Sequence, residues 1–320
     1  MLSRVADSIY WMSRCIERAE NVARFIDVNL TLMIDLPSGS AEQWQPLVEV
    51  TGDFKWFVEK YRHATKENVI QFLVFDREYP NSIASCLRCA RENARSIREV
   101  ISSEMWEQIN RFYLMVRDAS AQGPAALAQS NDFFNEVKLA SHLFSGIADN
   151  TMTHNEAWHF CRLGEFMERA DKTSRIVDVK YFYLLPSAQD VGSPLDEIQW
   201  TAVLRSASAF EMYRKKYGRI VPNRVSEFLL LDRQFPRAVQ YCAIVAEESL
   251  RAISGSPPGT FRNAAEQRFG LLTSELAYTS SADIAKIGLH EFLDGFQGKL
   301  NRVGDAVYET YFGLKPLPIG

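Results

Sequence analysis

One block of this sequence occurs twice, and that repetition constrains the fold more than any other feature. Glu17-Arg18-Ala19-Glu20 returns as Glu168-Arg169-Ala170-Asp171, a shift of 151 (17 to 168). At the same shift Arg24 meets Arg175, and Asp27-Val28 meets Asp178-Val179. Further on the shift becomes 156 (72 to 228): Phe72-Leu73-Val74-Phe75-Asp76-Arg77-Glu78-Tyr79-Pro80 answers Phe228-Leu229-Leu230-Leu231-Asp232-Arg233-Gln234-Phe235-Pro236. Gln43-Trp44, Lys60-Tyr61 and Cys86 match Gln199-Trp200, Lys216-Tyr217 and Cys242 at that shift, and the likeness fades beyond about residue 105. Motifs repeated in order point to two copies of one unit. The expected organisation is a first repeat over 1–150 and a second over 151–320, packed together as one globular unit.

The local pattern is helical. Ile9, Met12, Ile16, Ala19, Ala23, Ile26, Leu30 and Met33 step by three and four, an apolar stripe of heptad type. The second copy reads Phe160, Leu163, Met167, Ala170, Ser174, Val177 and Tyr181, with Ser174 the polar intruder. Further helices are predicted near 53–75, 81–101, 104–119, 132–150, 196–216, 237–253, 261–279 and 283–312. Pro80 and Pro236 stand where a new helix would begin. No alternating strand pattern appears. The fold class expected is all-α, a tandem-duplicated bundle of long antiparallel helices with short turn-rich connectors such as Pro37-Ser38-Gly39-Ser40 and Gly255-Ser256-Pro257-Pro258-Gly259.

Composition excludes more than it assigns. With 36 basic and 40 acidic side chains the formal charge is −4, which argues against a dedicated nucleic-acid or anionic-membrane binder. The opening Met1-Leu2-Ser3-Arg4-Val5-Ala6-Asp7 lacks the apolar core of a secretory signal. No run approaches the ~18 apolar residues of a membrane span. A cytoplasmic location is expected. The five cysteines, Cys15, Cys86, Cys89, Cys161 and Cys242, read as free, mostly buried thiols.

At 100° per residue, Ser13, Glu17, Glu20, Arg24 and Asp27 share a strip beside the apolar stripe, and Gly164, Glu168, Asp171, Arg175 and Asp178 repeat it. A strip bordering the core needs partners from other helices. Asp76-Arg77 and Asp232-Arg233 are candidates. Asp76 and Asp232 can equally cap the amides that follow them. The strip is open to two interpretations: interhelical ion pairs that set register, or a carboxylate-and-arginine pocket for a charged small molecule or peptide end. Glu156-x-x-His159 occurs once, its counterparts being Val5 and Ser8, so a di-iron centre is not expected. No P-loop, dinucleotide, nucleophile-elbow or zinc-protease pattern is present. Neither a cofactor nor a resident metal is implied.

The run from Met1 through Ser13-Arg14 into Glu17-Arg18-Ala19-Glu20-Asn21, with Trp158, Leu163-Gly164 and Glu168-Arg169-Ala170-Asp171, resembles the two signatures of the alpha-E family of bacterial helical proteins. Cys15 departs from the aromatic residue expected there. The resemblance implies a setting beside circularly permuted ATP-grasp ligases and transglutaminase-like peptidases, hence a part in ATP-dependent amide- or peptide-bond formation, either by binding an amino-acid-like or peptide substrate or as a scaffold for a partner enzyme. It marks Glu17, Arg18, Glu20, Arg24, Glu168, Arg169 and Asp171 as functional positions. Trp11, Phe25, Trp56 and Trp106 are the candidate interface aromatics.

Overall fold

The computed structural model describes residues 1–35, 44–123, 132–182 and 192–313, without the side chains at 33–35 and 181–182. The side chains of Met33 and Tyr181 and the whole Pro37–Ser40 connector thus lie outside what is described. Among the described residues there are fifteen helices and no strand. No helix is long and apolar enough to cross a membrane among those residues.

Two long helices form the centre: α1 (Ser3–Asp35), and α8 (Glu156–Phe182). The sequence stripe is their buried seam. Ile9, Met12, Ala19, Ala23 and Ile26 are fully enclosed, as are Leu163, Val177 and Ser174. Ser174 tolerates this because its hydroxyl donates to the Asp171 carbonyl at 2.7 Å.

Around α1 stand α5 (Ile83–Ser96) and α7 (Asp132–Thr151), with α6 (Ser103–Ser120) between them. Around α8 stand α12 (Val239–Ser254) and α15 (Leu289–Val307), linked by α13 (Ala264–Tyr278). Neighbours within each set run antiparallel, as Ser8 against Ser96 and Asp178 against His290 illustrate. The central pair is different. Ser13 Oγ lies 2.9 Å from Cys161 Sγ, Arg18 grips Glu168, and Leu32 packs with Val179. Positions rise together along both helices, so α1 and α8 are parallel and each residue faces its counterpart about 151 positions on.

Short helices fill the connections: α2 (Gln45–Glu49), α3 (Phe54–Tyr61), α4 (Lys66–Ile70, extended by a π-turn over Gln71–Phe75), α9 (Pro194–Ser206), α10 (Phe210–Tyr217), α11 (Pro222–Leu231) and α14 (Ser281–Ile287). Three predicted helices are broken. The 53–75 segment stops at Arg62 (φ 65°) and restarts under the Thr65 cap, whose side chain accepts from the Asn68 amide. The 196–216 segment breaks at Ser208 (φ 49°). The 283–312 segment breaks at Gly288, whose φ of 103° favours glycine. Helix α11 was not anticipated: Pro222 in its first turn supplies the start signal. Pro80 and Pro236 sit in the turns that precede α5 and α12 rather than inside them.

Candidate functional site

The acidic strips of α1 and α8 face each other because the helices are parallel. The geometry that results is reciprocal. Arg18 grips Glu168 with both arms, Nε to Oε1 at 2.6 Å and Nη2 to Oε2 at 2.9 Å. Arg169 grips Glu17 likewise, Nε to Oε1 at 3.0 Å and Nη2 to Oε2 at 2.8 Å. Each arginine of the repeated Glu-Arg pair thus holds the glutamate of the other helix in the planar fork geometry that guanidinium and carboxylate share.

Each strip's second arginine reaches further, to a turn in the other half. Arg24 donates to Glu20 at 2.5 Å and to Ser208 Oγ. Arg175 donates to Asp171 at 3.0 Å and to the Val50 carbonyl at 2.9 Å. Ser208 and Gly52 are equivalent at the 156 shift, and both have positive φ. Glycine is the ordinary occupant of such a position; Ser208 takes it and supplies the hydroxyl that Arg24 binds.

The outer partners differ between the two sides. Around Glu17, Arg237 adds contacts to Glu17 (3.3 Å), Asn21 (3.2 Å) and Glu20 (2.5 Å), Glu165 shares Arg169 at 2.5 Å, and His142 Nε2 lies 2.9 Å from Glu20. Around Glu168, Arg14 adds a bond at 2.8 Å, Asn81 accepts from Arg18 at 2.5 Å, and Lys172 sits 2.8 Å from Asp171 and 3.4 Å from Glu168. Arg14 and Glu165 are counterparts, as are Asn21 and Lys172, and Asn81 and Arg237. Their exchange balances charge on the Glu17 side, where Glu17, Glu20 and Glu165 meet Arg24, Arg169 and Arg237. It leaves Arg14, Arg18, Lys172 and Arg175 in excess over Glu168 and Asp171 on the other.

All four motif acids are buried, Glu168 completely. Burial pushes the Glu20 and Glu168 pKa values up, but the surrounding cations outweigh it: Arg237 and Arg24 for Glu20, Arg18, Lys172 and Arg14 for Glu168. Both carboxyls are held well below the usual range, and so is Asp171, where burial is overcome by Lys172 and Arg175. Arg24 is lowered as well, by burial and the nearby Arg237 against the pull of Glu20. Chemically this is a set of buried ion pairs, and among the oxygens of the four acids Asp171 Oδ1 is the one without a hydrogen-bond partner. Both oxygens of Glu17 and of Glu168 already accept from guanidinium groups, which lowers the basicity of either carboxylate.

The expected partners Asp76-Arg77 and Asp232-Arg233 do not join the network. Asp76 takes Lys60 at 2.9 Å and Tyr61 at 2.9 Å and caps the Glu78 amide at 3.0 Å. Asp232 takes Lys216 at 2.7 Å and caps the Gln234 and Phe235 amides, each at 2.8 Å. Arg77 is exposed, and Arg233 points to the Ala277 carbonyl. The short turn between each aspartate and the following helix keeps the acid on its own amides, and the residue after the proline is the one that reaches the network. The partners are therefore Asn81 and Arg237, which the 156 shift pairs one step beyond the repeated block. Of the candidate interface aromatics, Phe25 is buried and Trp56 is exposed; Trp11 and Trp106 are half-covered, under Arg14 and Arg98 respectively.

The five cysteines are free, four of them buried. Cys86, Cys161 and Cys242 are pushed up to about 12 by burial. Cys89 is drawn down to about 7 by a hydrogen bond from Cys15, with Arg18 assisting against burial. Among the described residues no group of three or more His, Cys, Asp or Glu could hold a metal ion.

Comparison with known proteins places this chain in a family. Uncharacterised proteins of Mycobacterium bovis and of two strains of Mycobacterium tuberculosis are 23% identical over 341 aligned residues, covering 98% of this chain. The match covers 38% of their own length, so this chain spans well under half of the curated relatives it resembles. No solved structure matches. The family model that matches residues 1–312 describes an alpha-helical domain with a conserved ER motif, the Glu-Arg pair seen here at 17–18 and 168–169, and the chain belongs to this Alpha-E family.

Proposed function

We propose that this protein is a non-catalytic helical component of an ATP-dependent amide- or peptide-bond-forming system, binding and positioning a circularly permuted ATP-grasp ligase, with a transglutaminase-like peptidase as a further partner. The observation that carries the non-catalytic part is the reciprocal Glu17–Arg169 and Glu168–Arg18 pairing, which occupies the motif carboxylates on both oxygens. A partner-bound role is supported by the relatives, in which the matching segment is 38% of a longer chain and so works tethered to further polypeptide. We also infer that the halves are copies of one unit; the two constant shifts and the counterpart-facing α1 and α8 support this.

The test is co-purification of the protein with such a ligase, followed by a ligase assay with and without it. Association at micromolar concentration and stimulation of ligation are expected. Glu17→Gln and Glu168→Gln, assayed well below their melting temperatures, retain the stimulation while melting earlier. Loss of stimulation with unchanged melting would instead assign these glutamates to a substrate, and no association with or without nucleotide would sink the partner reading.

A further inference from the structure

The packing of α1 against α5 brings two thiols together. Ser8 and Ser96 meet across these antiparallel helices, hydroxyl to hydroxyl at 3.2 Å. Cys15 lies seven residues beyond Ser8, and Cys89 seven before Ser96. That is about two turns along each helix in opposite directions, so both cysteines stay on the facing sides and at one level. Where two one-carbon side chains already touch, two thiols at the same register can reach each other. The Cys15 thiol accordingly donates a hydrogen bond to the Cys89 sulfur.

The two sulfurs differ in setting. Cys15 is buried, whereas Cys89 is half-buried and takes a second hydrogen bond, from the Asn93 amide at 3.4 Å, with Arg18 and Arg88 nearby. Donors and cations around a partly exposed sulfur favour its thiolate, the nucleophilic form. Cys86, one turn before Cys89, is enclosed and gives its proton to the Pro80 carbonyl at 3.7 Å. The repeated sequence separates these roles. Cys86 recurs as Cys242, which donates to the Pro236 carbonyl in the same way, so this thiol has a packing role common to both halves. The counterparts of Cys15 and Cys89 are Phe166 and Val245. An apolar pair serves at the equivalent place, and the thiol pair is peculiar to the first half.

We propose that Cys89 and Cys15 form a peroxide-sensitive dithiol, in which Cys89 is oxidised first and Cys15 then closes a reversible disulfide between α1 and α5. The Cys89 thiolate attacks one oxygen of hydrogen peroxide: an S–O bond forms, the O–O bond breaks, and the departing hydroxide takes a proton to become water. The Cys15 sulfur then attacks the Cys89 sulfenic acid. An S–S bond forms, the S–O bond breaks, and the leaving hydroxide takes the Cys15 proton as a second water. Two thiols lose two electrons and one peroxide gains them. Burial of Cys15 leaves Cys89 as the sulfur that peroxide meets, and the bond of Cys86 to Pro80 leaves Cys15 as the thiol that answers. The pair stands independently of the ligase reading.

The test exposes the reduced, desalted protein to hydrogen peroxide at neutral pH, counts thiols after denaturation and maps the linked peptides by mass spectrometry. Free thiols are expected to fall from five to three, with the Cys15 and Cys89 peptides joined, and dithiothreitol should restore all five. Cys89→Val, which copies the second half, should keep its remaining thiols under the same exposure. Cys15→Ser should stop at a sulfenic acid on Cys89 that dimedone tags, and Cys86→Ser should still form the link. The wild-type map needs no variant, so it decides the matter even if Cys15→Ser fails to fold. Survival of all five thiols overturns the proposal. So does a disulfide through Cys86 or between two molecules, or oxidation of Cys89 to a sulfinic acid without a link to Cys15.

Discussion

At the scale of single residues, the motif glutamates are held by more cations than any pairwise description captures. Glu168 faces Arg14, Arg18 and Lys172 at once. Neutralising it leaves three buried or half-buried cations without their anion, and breaking a buried pair from one side costs about 3–5 kcal/mol. Glu168→Gln is therefore expected to lose that much in denaturant unfolding, and Glu17→Gln a comparable amount. The pH dependence follows from the depressed carboxyls. Glu20, Glu168 and Asp171 titrate lower in the folded chain than the roughly 4 of an unfolded one. Their stabilisation is complete above that value and disappears as pH falls toward the folded values. Thermal melts from neutral pH to about pH 3 should show a steep acid loss, shallower in Glu168→Gln. A wild-type acid slope equal to the mutant's would contradict the assignment. The sequence placed these acids on one strip but left open what they meet, because partner identity depends on how two distant helices cross.

At the scale of elements, the α1–α8 contact is close because its residues are small. A Cβ on Gly164 would stand 2.4 Å from the Tyr10 carbonyl oxygen and 3.2 Å from its carbon, and neither backbone atom can step aside. Gly164→Ala should force the helices apart and cost about 1–3 kcal/mol, as overpacking does. Gly304→Ala, with open space before it, should be neutral or stabilising by up to about 1 kcal/mol from helix propensity. Comparison of the two melting temperatures checks the contrast, and equal shifts would refute it. The apolar steps of three and four made α1 and α8 legible as helices, with their seams correct at every described position. The breaks at Arg62, Ser208 and Gly288 were less legible. Only Gly288 carries its signal in its own identity; Arg62 and Ser208 adopt left-handed backbone because the following helix must turn back onto the core.

At the scale of the whole molecule, the ion network joins 1–150 to 151–320. Arg237 binds Glu17 and Glu20, Arg24 binds Ser208, and Arg175 binds the Val50 carbonyl, each across that boundary. Separated, each part would expose the seam of its central helix and leave Glu17 or Glu168 beside an empty interface. Expressed alone, 1–150 and 151–320 should show no cooperative melt. Co-expressed, they should associate and recover one, as read by calorimetry. A cooperative transition in either part alone would show that the units fold independently. By itself, the sequence determined the all-helical class, the buried seams of α1 and α8 and the family, since periodicity and motif spacing are properties of the chain order. Tertiary structure decided that α1 and α8 run parallel, and with it the partners of every motif residue. A parallel crossing sets each Glu opposite the other helix's Arg, and no local pattern encodes the direction in which two helices meet.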